Sequence, residues 1–210
     1  MSQSIVLEDE VAVSDLEQFL SRAKRLDKDG AVRLRSYGDV LTVTVAPIYG
    51  TSILGNDPTI LGMRVMKLAK TESVDVVVSL SSMLDRLAIK DELIHLPPSR
   101  EVVSWAGISP PQQGWLQIGE LDPVEIQSIA EAGISEVANA VPGNLGASLV
   151  QRVRSDVWGR KFGEQLLPSG VCFALSGLGF LVSDEKVRVF QNGNWRRLTT
   201  DFGHVLTKTT

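Results

Sequence analysis

The feature that most constrains the fold is an apolar run, VCFALSGLGFLV, over residues 171–182. No charged residue lies between positions 164 and 184, which predicts a buried segment. A run of about 18 apolar residues would indicate a transmembrane helix, but Pro168 and several glycines and serines interrupt this one. We therefore predict a short buried helix over residues 169–178, around which the rest of the chain packs.

The ends of this helix are predicted from its flanking residues. Ser169 is a residue type that caps helix amino termini. Gly179 can adopt the left-handed conformation that ends many helices without strain. Cys172 then lies inside the packed helix, where a free thiol behaves as a small apolar side chain.

Charge and composition exclude several classes of protein. The formal net charge is −4, which argues against a protein whose main task is to grip the nucleic-acid backbone, since that requires a basic surface. One cysteine and two histidines cannot form an internal disulfide or the usual four-ligand structural zinc site. The segment MSQSIVLEDEV lacks the pattern of a signal peptide. We expect the protein to bind no metal and no cofactor, to lack a membrane span, and to reside in a reducing cytoplasm.

The first half predicts a helix followed by strands. After a lead-in over residues 1–12, Ser14 and Glu17 form a capping-box pattern. A helical apolar stripe follows, made of Leu16, Phe19, Leu20, Ala23 and Leu26.

Alternating residues then predict a hairpin whose strands, AVRLRSY and VLTVTVAP, meet at Gly38-Asp39. We expect a loop over 47–58, strands over 62–69 and 74–79, and a helix over 81–89 capped by Ser82 and Asp85. The lobe over 13–96 thus reads α-β-β-β-β-α.

The second half is predicted to be richer in helices. Residues 97–115 contain two Pro-Pro pairs, Trp105 and Trp115, which favours an ordered connector between lobes. In the lobe over 116–210 we predict helices over 123–132, 135–140 and 145–158, the buried helix, and strands over 186–191, 195–200 and 204–208. The fold class is α+β: an antiparallel sheet with helices packed on one side, and a helix-rich second half closing in a β-meander. One continuous domain is the alternative.

No sequence motif indicates catalysis. The chain lacks a phosphate-binding P-loop, a GxGxxG loop, a GxSxG elbow, an HExxH pair and a CxxC pair. A cysteine mechanism would need Cys172 beside His95 or His204. The two helices around Gly133 resemble a helix-turn-helix, but the second carries no basic residue, which favours a packed corner.

The last hairpin, KVRVFQNGNWRRL, carries the candidate site. A two-residue turn near Gly193 places Val187, Val189 and Leu198 on a core face, and Arg188, Phe190, Trp195 and Arg197 on the opposite face. Arginines alternating with aromatic rings are typical of a surface that binds anionic or aromatic partners. Two alternatives are open: the rings pack under a neighbouring loop, or a three-residue bulged loop shifts the pairing.

Several segments, DGAVRL with GDVLTV, VSWAGISPP with GW, AGISEVA, VWGR and HVLTK, resemble a group of uncharacterised actinobacterial proteins of about this length. This resemblance implies no activity. We predict a non-enzymatic protein-interaction or regulatory module whose partner is another protein or a second copy of the chain. The alternatives are an enzyme or small-ligand binder with a pocket between the halves, and weak nucleic-acid binding through the last hairpin.

Overall fold

The computed structural model describes residues 3–50, 58–89, 93–140 and 146–209. The chain is an α+β protein with antiparallel strand pairing, as the sequence predicts. It divides into two compact units, Met1–Pro47 with Gly62–Ser109, and Ile48–Leu61 with Pro110–Thr210.

The first unit contains the predicted α-β-β-β-β-α succession. Its elements are β1 (Ser4–Ile5), α1 (Glu10–Leu26), β2 (Ala31–Tyr37), β3 (Val40–Ile48), β4 (Ile60–Lys67), β5 (Asp75–Ser79), α2 (Leu80–Leu87), β6 (Ile94–His95) and a 3-10 helix (Ser104–Gly107). The strand order is β5-β2-β3-β4. β1 pairs with β6.

Alternation along β2 explains which face of this sheet is buried. Val32 and Leu34 are fully buried, and they lie opposite Val45 and Val43 on β3. Arg33, between them, points to the other face, because successive strand residues alternate. The hairpin turn at Gly38-Asp39 joins Tyr37 to Val40 as predicted, with a φ of 65° at Gly38.

Two predicted helix starts are wrong by a few residues. The N-cap of α1 is Asp9, whose carboxylate accepts a hydrogen bond from Ala12 N, so Ser14 lies inside the helix. The predicted lead-in therefore contains β1 and the start of α1. The N-cap of α2 is Ser79, whose hydroxyl accepts from Ser82 N. Both stretches offer several residues able to cap a helix, and packing of the apolar face selects among them.

The predicted loop over 47–58 is only partly observed. Residues 47 and 48 belong to β3, and residues 51–57 lie outside the described ranges. Strands β4 and β5 lie close to their predicted positions.

Arg33 on β2 makes an ion pair with Asp75 on β5 and a hydrogen bond to the 3-10 helix of the first unit. Arg33 donates to both carboxylate oxygens of Asp75, at 2.8 and 2.9 Å, and its Nη1 donates to the carbonyl of Ala106. The pKa of Asp75 is lowered, mainly by the hydrogen bond from Arg33, against an opposing effect of burial.

We expect Asp75→Asn to lower the free energy of unfolding at pH 7 by about 1 kcal/mol, because Arg33 loses a bidentate, partly screened partner. Because the pKa of Asp75 is lower in the folded than in the unfolded chain, its stabilising effect is complete at pH values above the ordinary carboxyl pKa. The effect is lost as the pH falls through the pKa of folded Asp75. Urea denaturation at pH 7 and pH 3 measures it. Glu8→Gln is the control, since the Glu8–Lys67 pair is exposed and its loss should leave stability unchanged.

From Pro110 onward, the first element of the second unit is a strand that the sequence pattern did not predict. Its elements are β7 (Leu116–Leu121), α3 (Pro123–Ala140), α4 (Ala147–Gly159), β8 (Lys161–Phe162), β9 (Leu167–Pro168), α5 (Gly170–Gly177), β10 (Val187–Asn192), β11 (Trp195–Thr200) and β12 (Gly203–Lys208). The strand order in this unit is β12-β11-β10-β7. Strands β10, β11 and β12 form the predicted meander.

The two helices predicted around Gly133 are one continuous helix, α3, so no helix-turn-helix is present there. Gly133 is buried in that helix because the ring of Trp158 lies against it. A Cβ atom at position 133 would be 2.3 Å from Cζ3 of Trp158. Trp158 on α4 is almost fully buried and stacks on Phe173, with ring centroids 4.7 Å apart. The predicted start of α4 at residue 145 lies outside the described residues.

The buried helix forms where the apolar run predicts it, but its amino-terminal cap differs. Ser169 makes no side-chain cap; its hydroxyl donates instead to the carbonyl of Val157 at 2.7 Å. The carboxyl end follows the prediction, with a φ of 71° at Gly179. The amide of Phe180 donates to the carbonyl of Leu175, as expected for a glycine-terminated helix. Among the described helices, none is long and apolar enough to cross a membrane.

Candidate partner-binding site

The last hairpin has the register that the two-residue turn predicts. Phe190 lies opposite Arg197, and Asn192 lies opposite Trp195. Gly193 and Asn194 form the turn, with a φ of 55° at Gly193. The bulged three-residue loop that would shift this pairing is therefore not formed.

The two faces of the hairpin differ in chemistry. Val187, Val189 and Leu198 are fully buried on the inner face. Arg188, Phe190, Trp195 and Arg197 lie on the outer face, because residues opposite each other in an antiparallel pair share a face. The structure thus brings the four predicted site residues together.

Arg197 is the centre of this outer face. Its Cζ atom lies 4.7 Å from the ring centroid of Phe190 and 4.6 Å from that of Trp115. Both distances are within the range of a cation–π contact. We name the surface formed by Trp115, Arg188, Phe190, Trp195 and Arg197 the arginine–aromatic face.

Trp115 is held in place by the chain just before β7. Its indole Nε1 donates to the carbonyl of Pro111 at 2.9 Å. The side-chain amide of Asn192 donates to the carbonyl of Gln113 at 2.7 Å, which fastens this segment to the hairpin.

From the sequence, Trp115 was predicted to lie in the connector and not in the site. The stretch LQIGEL, which directly follows Trp115, forms β7 beside β10 and so brings Trp115 to the hairpin. This strand was not predicted from the sequence. Leu116 is 72% exposed, so β7 lacks the buried alternation by which strands are recognised.

Trp195 lies beneath the surface. Only 7% of it is exposed, and Nζ of Lys208 lies 5.2 Å from its ring centroid. Trp195 therefore supports the face, whereas Phe190, Trp115 and the arginines are half-buried and reach its outer side.

Arg197 carries a charge that the described part of the chain does not neutralise. Arg188 forms an ion pair with Asp201 at 3.1 Å, but no described carboxylate pairs with Arg197. The Nε of Arg197 is buried and has no hydrogen-bond partner among these residues. Burial, followed by the charge of Arg188, lowers the pKa of Arg197.

His204, on β12, lies near Arg188 and Arg197. Its Nδ1 lies 3.1 Å from the hydroxyl of Thr199, which is opposite it on β11. Burial lowers the pKa of His204 to about 4, and the charges of Arg197 and Arg188 add to this effect. The imidazole is therefore neutral near pH 7, and the arginines supply the positive charge of this region.

The residues considered for cysteine catalysis do not form an activated thiol. Cys172 is fully buried in α5, and burial raises its pKa to about 12, with a smaller effect from Glu125. A thiol with this pKa stays protonated near pH 7. His95 lies exposed on β6 of the first unit. No group of three or more metal-ligating side chains occurs within the described ranges.

The fold is similar to that of the bacterial beta clamp. The Helicobacter pylori beta clamp, in a structure bound to a DNA ligase peptide, matches 99% of this chain with a TM-score of 0.50 and 9% identity. The Caulobacter crescentus pol III beta matches 98% of it with a TM-score of 0.50 and 11% identity. The present chain spans 65% of each of those chains. At these identities the likeness shows a shared fold and nothing more.

By sequence, the chain belongs to the family described as "Domain of unknown function (DUF8010)", whose model matches residues 1–107. A second model, "Domain of unknown function (DUF8185)", matches residues 110–210. The predicted resemblance to an uncharacterised family is thereby confirmed. No curated protein matches the sequence.

Proposed function

We propose that this protein is a non-enzymatic protein-interaction module of the cytoplasm, which binds its partner through the arginine–aromatic face. The observation that carries the proposal is the environment of Arg197. Two aromatic rings contact its guanidinium, and none of the described carboxylates neutralises it. A partly desolvated charge without an ion-pair partner gains free energy when a complementary group covers it.

The composition of the face supports a protein partner. Arginine and tryptophan are the residues most enriched among those that dominate binding energy in protein interfaces. Here Trp115 and Phe190 are already ordered around Arg197, so that little side-chain entropy remains to be lost on binding.

The fold likeness supports the same proposal. One structure of similar fold is a beta clamp bound to a DNA ligase peptide, so a fold of this type can bind a segment of another protein. The partner of the present chain is either another protein or a second copy of the chain. The mass of the complex distinguishes the two, because a complex of two copies has twice the mass of the chain.

The test begins with native mass spectrometry of complexes isolated from the protein's own cells. The partner is then purified, and its dissociation constant is measured for the wild type and for Arg197→Met. Methionine keeps an apolar side chain against the two rings but removes the charge and the hydrogen-bond donors. We expect binding at least tenfold weaker, which is about 1.4 kcal/mol.

Arg35→Met is the matched control. Arg35 also lies over an aromatic ring, 4.9 Å from the centroid of Tyr37, but it belongs to the first unit and pairs with Asp75. It should leave the dissociation constant unchanged. Equal affinities of the wild type and Arg197→Met, both folded by circular dichroism, would contradict the proposal.

A further inference from the structure

We infer that the arginine–aromatic face, acting as the proposed partner-binding site, recognises an extended acidic peptide segment with carboxylates two residues apart. The inference rests on the proposed function and adds the chemical identity of the bound segment. It follows from the number, the spacing and the geometry of the positive groups on this face.

Two positive groups have no carboxylate partner among the described residues: Arg197 in the face, and Lys208 at its edge, where the ammonium lies over the Trp195 ring. Arg188 is already paired with Asp201. The carboxylate of Glu120, opposite Arg188 on β7, accepts a hydrogen bond from the side chain of Gln117. The face and its edge therefore carry two positive charges without an ion-pair partner among the described residues, whereas Glu120 remains negatively charged beside Arg188.

The backbone positions of Arg197 and Lys208 match the spacing of an extended chain. Lys208 lies opposite Trp195, and Trp195 is two residues from Arg197 along β11. Residues two apart in a strand are about 7 Å apart, and diagonal cross-strand neighbours on one face are about 7–8 Å apart. Alternate side chains of an extended peptide point the same way, so carboxylates at positions i and i+2 can meet Arg197 and Lys208 together.

The environment of Arg197 suits a carboxylate. The rings of Trp115 and Phe190 contact the guanidinium but do not satisfy its N–H donors. A planar carboxylate can bind those donors through two parallel hydrogen bonds. His204, which adjoins the arginines, is neutral near pH 7 and adds no positive charge there, and the charge of Arg188 is already paired with Asp201.

Four tryptophans allow a direct test. Trp115 and Trp195 lie in the face, whereas Trp105 and Trp158 are buried elsewhere, so their indole N–H signals are internal controls. The probe is the synthetic peptide acetyl-Gly-Gly-Glu-Val-Glu-Gly-Gly-amide, titrated into the full-length 15N-labelled protein. Its controls are the twin peptide with both Glu replaced by Gln, and an isomer with adjacent glutamates.

We expect the Glu-Val-Glu peptide to shift the Trp115 and Trp195 signals saturably and to leave those of Trp105 and Trp158 in place. Binding of the Gln twin should be at least tenfold weaker, and the adjacent isomer should bind more weakly than the alternating peptide. Arg197→Met should remove the response, and raising the salt concentration should weaken it. These results would support the inference.

The inference is overturned if the Gln twin binds as well as the acidic peptide, or if neither peptide moves the two signals. It is also overturned if inorganic phosphate or a ten-residue oligothymidylate shifts them at lower concentration, which would indicate phosphate or nucleic-acid recognition. If neither peptide binds but a purified protein partner still requires Arg197, recognition of an acidic peptide is rejected and the proposed function is retained. A protein partner that is insensitive to Arg197→Met rejects the proposed function itself.

Discussion

Replacing Gly133 with alanine is expected to lower the free energy of unfolding by about 2–3 kcal/mol, the cost of overpacking a tight core. The added Cβ would lie 2.3 Å from Cζ3 and 2.6 Å from Cη2 of Trp158. Trp158 cannot move away easily, because it is almost fully buried and stacks on Phe173. The effect is opposite to the gain of ~0.5–1 kcal/mol that Gly→Ala gives in an open helix.

Urea denaturation of the wild type and Gly133→Ala measures this loss. Gly159→Ala is the matched control, because Gly159 ends α4 and a Cβ there would meet only Cδ of Pro58, at 3.9 Å. That variant should be as stable as the wild type or slightly more stable. In the double variant with Trp158→Leu, the cost of Gly133→Ala should largely vanish, since the ring is gone. A full cost in the double variant would show that the clash is not its cause.

Acidification from pH 6.5 to pH 4 is expected to destabilise the protein through His204 by about 2–3 kcal/mol. The unfolded chain binds a proton near pH 6.5, whereas burial and the charges of Arg197 and Arg188 hold the pKa of folded His204 near 4. A depressed histidine pKa means that the neutral form is favoured on folding. Its contribution is complete above pH 6.5, falls between pH 6.5 and 4, and is absent below pH 4.

Denaturation curves recorded across this pH range test the prediction. His204→Asn should flatten the decline, because asparagine retains a polar group near Thr199 but does not titrate. His95→Gln should keep the full decline, since His95 lies exposed in the other unit. Arg197→Met should raise the pKa of His204, as followed by NMR of its imidazole ring. An unchanged decline in His204→Asn would assign the acid sensitivity to other groups.

The hairpins were predictable because their signals are local. Tyr37 and Val40 flank one two-residue turn, and Asn192 and Trp195 flank the other. Alternation of apolar and polar residues then decides which side chains face the core. For this reason the residues predicted to lie on the outer face share one face in the structure; they are Arg188, Phe190, Trp195 and Arg197.

The helix ends and one strand were not predictable in the same way. Ser14 and Asp9 are both suitable N-caps, and the choice depends on which turn of α1 packs against the sheet. Gly133 reads locally as a helix break, yet the close approach of Trp158 explains why a glycine lies inside a continuous helix. β7 was missed because exposed apolar residues obscure its pattern.

The sequence by itself determined the fold class, the buried helix around Cys172, the two hairpins and the charge of the outer face, because each depends on neighbours a few residues apart. Tertiary structure decided that Trp115 lies beside Arg197, that Trp195 is covered and that His204 is neutral near pH 7. These properties depend on distances between residues far apart in the chain and on how much water they exclude, which a local pattern does not contain.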